Sequence, residues 1–160
     1  MAAISSTIPN AATEPVLIYS AVSFANRAAL RAAKVALNLR FAGAQLAKDG
    51  QPFVETAAMT SARLALEAAL CLTMQAPVQT GFDPILQKAA DHLLRGLQGR
   101  NRDELLCCEA LCREKKIVPR GQGMSPAEAV ARRILGEWAP LAGIMARSAQ
   151  FRDRLRRAPS

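Results

Sequence analysis

Large side chains are scarce in this chain. Aromatics make up 4% of its 160 residues: Tyr19, Trp138 and five phenylalanines. A core built from alanine and leucine lets helices approach closely, but it has few bulky anchors to specify one packing. Alternating runs of β-branched and aromatic residues are missing too, which excludes a substantial sheet. There is one histidine, His92, and the sparse carboxylates form no Glu-x-x-His or similar pair suited to acid–base or metal chemistry. Gly121-Gln122-Gly123 precedes a helix start, but it lacks the strand before it and the Gly-Lys-Ser/Thr ending of a phosphate loop. The expected function is therefore non-catalytic, with no cofactor.

The first fifteen residues show no basic stretch ahead of an apolar one, so no secretory signal is expected. No run of about 18 residues escapes charge or a polar break, and no membrane-spanning helix is expected. The four cysteines, Cys71, Cys107, Cys108 and Cys112, then read as reduced thiols of a cytoplasmic protein. Cys108 and Cys112 share a helix face, while Cys107 points about 100° away. That is not the paired-ligand geometry of a tetrahedral metal site. Buried small apolar residues, with no metal, are the expectation.

What the chain does have is helix. From Pro15 to Lys48, Arg27, Arg31, Lys34, Asn38, Gln45 and Lys48 recur at three, four or seven positions and gather into one narrow polar stripe. The apolar face is wider than the polar one and must bury itself against something. Local punctuation then predicts five helices, near 15–48, 52–76, 83–98, 102–116 and 125–156. Thr13-Glu14-Pro15 starts the first, and Asp49-Gly50-Gln51-Pro52 stops it and starts the second. Asp83 before Pro84 reads as an N-cap, and Asn101 with Glu104 as a capping box. Ser125-Pro126-Ala127-Glu128 is the clearest start of all. Pro140 is expected to kink or split the last helix near Trp138. This outlines an all-α bundle: a disordered lead over 1–13, one helical domain over 14–146, and a basic tail over 147–160.

Net charge is +8, with an isoelectric point near 10.0. The tail holds Arg147, Arg152, Arg154, Arg156 and Arg157 against Asp153 alone. Such a tail suits an anionic partner: nucleic acid, a lipid surface or an acidic protein. Phe151 and Leu155 lie among these arginines, as they would at a lipid interface.

Gln51-Pro52-Phe53-Val54-Glu55, then Ala62-Arg63-Leu64-Ala65-Leu66-Glu67-Ala68, then Phe82-Asp83-Pro84 resembles the central part of bacterial phasins. The resemblance covers at most residues 20 to 98. Phasins are small helical proteins that coat polyhydroxyalkanoate storage granules with alanine-rich amphipathic helices. The resemblance implies a coat protein, for which an apolar granule surface replaces part of a core. The same wide apolar faces suit a helical subunit or adaptor that completes its core with a partner protein, or a homo-oligomer. Leu30, Leu37, Phe41, Phe53, Leu64 and Trp138 are the residues expected to carry such association.

Overall fold

The computed structural model describes residues 19–48 (side chains as far as 38), 56–99, 101–115 and 123–147, and every regular element in them is an α-helix. In chain order these are α1 (Ala21–Lys48), α2 (Ala57–Gln75), α3 (Asp83–Gln98), α4 (Arg102–Lys115) and α5 (Pro126–Ala146). The all-α bundle is therefore the architecture of the chain. The expected lead over 1–13, the start at Pro15, the break over 49–52 and the tail beyond Arg147 lie outside the described residues.

Side chains set the helix starts. Tyr19 and Ser20 are not helical, so α1 begins later than Pro15. Ser20 holds that boundary: its Oγ accepts from the Ser23 N–H at 3.0 Å, and its carbonyl accepts from the Phe24 N–H. Likewise α2 begins at Ala57 because Thr56 adopts an extended backbone and its hydroxyl accepts from the Met59 N–H at 3.2 Å. Ser125 caps α5 as its sequence pattern requires, accepting from the Glu128 N–H at 3.1 Å. Asn101 caps α4 through the N–H groups of Asp103 and Glu104. Glu104 does not reach back to close that box; its carboxylate meets His92 Nδ1 instead, at 2.6 Å.

Asp83 corrects the expected capping scheme. It is the first residue of α3, not the cap before it, and the residue at the cap position, Phe82, makes no side-chain bond. The Asp83 carboxylate turns back to accept from the N–H groups of Gln79 and Thr80, the Thr80 hydroxyl and the Ser20 hydroxyl, at 2.7 to 3.0 Å. It therefore joins the start of α1 to the α2–α3 turn. Burial pushes its pKa up, but these hydrogen bonds outweigh burial and hold the carboxyl below its ordinary value. Gln87 works on the same turn from α3. Its Nε2 lies 3.0 to 3.2 Å from the carbonyls of Thr73, Met74 and Ala76, where α2 runs out of intrahelical donors.

Consecutive helices pack as antiparallel neighbours, and α1 closes the bundle against α5. The core joins Leu30, Ala33 and Leu37 of α1 to Leu66 and Leu70 of α2, Leu86 and Leu93 of α3, Leu105 of α4, and Leu135 and Trp138 of α5. One polar link crosses this apolar centre. The Trp138 indole N–H donates to Asn26 Oδ1, and Asn26 Nδ2 donates to the Leu86 carbonyl at 3.3 Å. Three helices thus meet at one fully buried asparagine. Pro140 does not split α5, which runs unbroken from Pro126 to Ala146. Pro140 lies on the exposed side, where water can take the carbonyl bond that proline leaves unmade.

Candidate functional site

The six residues expected to form one association face do not share a surface. Leu30, Leu37 and Trp138 lie in the core, covered by the chain's own helices. Apolar periodicity marks a face as buried but does not say what buries it, and here the neighbouring helices do so. Leu64 is 53% exposed. Phe53 and the side chain of Phe41 lie outside the described residues.

Around Leu64 is a surface that the residue patterning missed. α2 packs on α1 and α3, which cover Met59, Leu66, Ala69, Leu70 and Thr73. Its outward positions are Ala57, Ala58, Ser61, Leu64, Ala65, Ala68, Leu72, Met74 and Gln75, and none is charged. The only two charges in the helix, Arg63 and Glu67, pair with each other at 3.3 Å. Leu72 is 60% exposed, and Val78 lies open just past the helix end. By length and composition α2 is long and apolar enough to cross a membrane. No membrane-spanning helix is expected from the sequence, because no run of about 18 residues escapes charge or a polar break. A helix apolar on all sides is normally covered on all sides, and this one is covered on one side only. The signal was legible: of the nineteen residues of the helix, only Arg63 and Glu67 carry charge.

Beside it, α1 carries Arg27, Arg31, Lys34, Arg40 and Lys48 and no acidic residue. Arg27 is held by Tyr19, lying 5.0 Å over its ring and donating to its hydroxyl. Arg31 and Lys34 are exposed, and neither forms an ion pair with a described residue. Phe24 and Val35, 61% and 53% exposed, lie along the same side at helical spacing.

The arginine tail is described only at its first member. Arg147 ends α5 and pairs with Glu109 of α4 at 3.3 Å, so it is not an unopposed cation. Arg152, Arg154, Arg156 and Arg157 lie outside the described residues.

The remaining chemistry-bearing residues have structural surroundings. Cys108 and Cys112 are buried, Cys107 is exposed, Cys71 is half-buried, and all four are free thiols. The neighbouring Cys112 thiol, together with burial, pushes the Cys108 thiol well above its ordinary pKa, away from thiolate chemistry. Among the described residues no three His, Cys, Asp or Glu side chains converge as a metal site. His92 bridges α3 to α4 through Glu104. Arg132 pairs with Glu128, donates to the Lys115 carbonyl at 2.7 Å and covers the Phe82 ring, fastening the end of α4 to α5.

No protein-family model, curated protein or solved structure matches this chain.

Proposed function

We propose that the protein works without catalysis, by laying the outward face of α2 on an apolar surface. The observation that carries this reading is the uncharged, solvent-facing stripe running the length of α2, with Leu64 and Leu72 its largest members. Exposed apolar surface of this continuity marks an association site. The resemblance to phasins makes polyhydroxyalkanoate granules the first surface to try, and a helical partner protein is the alternative occupant. Four free thiols favour a reducing, cytoplasmic setting for either role.

The test is partitioning. The wild-type chain should sediment with polyester particles, and the Leu64→Glu/Leu72→Glu variant should stay in the supernatant while its circular dichroism is unchanged. Setting two carboxylates against an apolar surface costs several kcal/mol, enough to remove binding. A wild type that ignores the particles but co-purifies with one defined protein, lost in the same variant, would move the role to an adaptor. Leu37 is unsuited to this experiment, because it belongs to the core and a charge there would unfold the protein.

A further inference from the structure

We infer that the surface which α2 meets is an anionic phospholipid layer, with Arg31 and Lys34 of α1 on the headgroups and Leu64 and Leu72 of α2 among the acyl chains. The inference rests on the reading of α2 as an association face and adds the chemistry of its partner. Charge distribution carries it. Among the described residues of α3, α4 and α5, carboxylates lie beside most of the cations, Arg95 by Asp91 at 3.2 Å, Arg113 and Arg147 by Glu109 at 3.3 Å, and Arg132 by Glu128 at 3.1 Å, leaving Lys88 and Arg133 exposed without an ion pair. In α1 no acidic residue exists to match anything. Arg31 and Lys34 have no ion pair among the described residues, and they share a side of the helix with exposed Phe24 and Val35.

α1 and α2 pack more extensively on each other than on any other helix, and both bury residues in the core shared with α3 and α5. Their outward stripes thus belong to adjacent helices, one cationic with apolar members and one wholly uncharged. An interfacial helix needs both features: apolar residues set just below the headgroups and basic residues level with them. A neutral polyester offers the cations nothing. A duplex nucleic acid would leave the α2 leucines without a role, since its affinity comes from phosphate contacts. A second copy docked on α2 would bring two all-basic α1 helices together. An anionic lipid layer satisfies both stripes at once.

Co-sedimentation of the full chain with vesicles decides the matter. Vesicles of phosphatidylcholine with phosphatidylglycerol should bind it, and phosphatidylcholine alone should bind it far more weakly. Each basic residue near an anionic surface is worth about five-fold in affinity, so Arg31→Gln/Lys34→Gln should lose about 25-fold. Both substitutions are at exposed positions and should leave folding intact. Leu64→Glu/Leu72→Glu should also abolish vesicle binding, whereas a chain truncated after Arg147 should keep most of it. Loss of binding on truncation would overturn the inference in favour of the tail. So would vesicle binding indifferent to Arg31→Gln/Lys34→Gln, although polyester binding sensitive to Leu64→Glu/Leu72→Glu would then still support the α2 face. Tight binding to duplex DNA that ignores the leucine substitutions would overturn it as well. A wild type that binds neither particles nor vesicles would defeat both readings together.

Discussion

The two sides of this bundle treat charge differently. On the side of α3, α4 and α5, carboxylates and cations lie within a turn of one another or face across a helix contact, and the surface neutralises itself. On the side of α1 and α2, one helix holds cations and no carboxylate of its own, and the other has almost no charge to expose. Surface ion pairs contribute little to stability, so the matched side gains mainly indifference to its surroundings. The unmatched side remains free to interact. A helix that keeps leucines in water at Leu64 and Leu72 gives up stabilisation that burial would supply, and a polar residue there would fold as well. The association surface proposed for α2 would use those leucines.

If the two sides are joined through the core, the link at Asn26 should be the most damaging place to cut. Trp138→Ala should destabilise the protein by about 3–5 kcal/mol through the cavity it leaves. Trp138→Phe keeps most of the apolar volume but strands the Asn26 carbonyl oxygen, at about 1–3 kcal/mol. Urea unfolding followed by far-ultraviolet circular dichroism would rank the two. A Trp138→Phe loss close to zero would mean that the asparagine link contributes nothing.

Asp83 is the second joint, tying Ser20 of one side to the start of α3 on the other. Asp83→Ala should cost about 3 kcal/mol, since hydrogen bonds to a charged group are worth about 1.5–3 kcal/mol each and do not add fully. The same residue sets a pH dependence. Its folded pKa is depressed, so its contribution is complete above the ordinary carboxyl value of 3.8 and is lost as pH falls below that, through the folded value. Urea midpoints should therefore decline below about pH 4 in wild type and decline less in Asp83→Asn. Parallel curves for the two proteins would remove Asp83 from the acid response.

The close contact within the matched side gives a smaller effect. Gly143 sits where Glu109 and Arg147 meet across α4 and α5, and a methyl group there would collide with both side chains. Gly143→Ala should cost less than about 1 kcal/mol, because the colliding atoms are the ends of flexible side chains that can swing aside and alanine favours the helix over glycine. Adding Glu109→Ala clears the space, so the double variant should be more stable than Gly143→Ala alone. Strict additivity in that cycle would place the strain elsewhere.

How much of this was legible depended on the range of the interaction. The Ser125 and Asn101 caps were readable because both partners lie within three residues. The α1 start was not, because Ser20 draws on Asp83, sixty-three residues away. Asp83 looked like a cap from its proline neighbour, and only the fold shows its oxygens turned back toward the preceding turn. For Pro140, the sequence carries the missing donor but not the solvent that replaces it. The functional residues divide in the same way. Leu30, Leu37 and Trp138 have the size of anchors, but whether an anchor holds a partner or the chain itself is a tertiary fact. Leu64 was singled out with them, and it alone among the described residues of that set faces outward.

The smallest expected effect on stability is also the sharpest test of the two-sided picture. Leu64 and Leu66 are two residues apart on α2, one 53% exposed and the other fully covered. Leucine and glutamate have nearly equal helix propensity, so substitution at an outward position should change little through the backbone. Leu64→Glu should therefore shift stability by less than about 0.5 kcal/mol. Leu66→Glu places an unpaired carboxylate in the contact with α1 and α3 and should unfold the protein or cost several kcal/mol. Thermal melts of the two single variants measure the difference directly. A stability loss at Leu64 approaching that at Leu66 would mean that the outer face of α2 is already covered within the free protein. The apolar stripe would then be core, and the reading of α2 as a surface for association would fail with it.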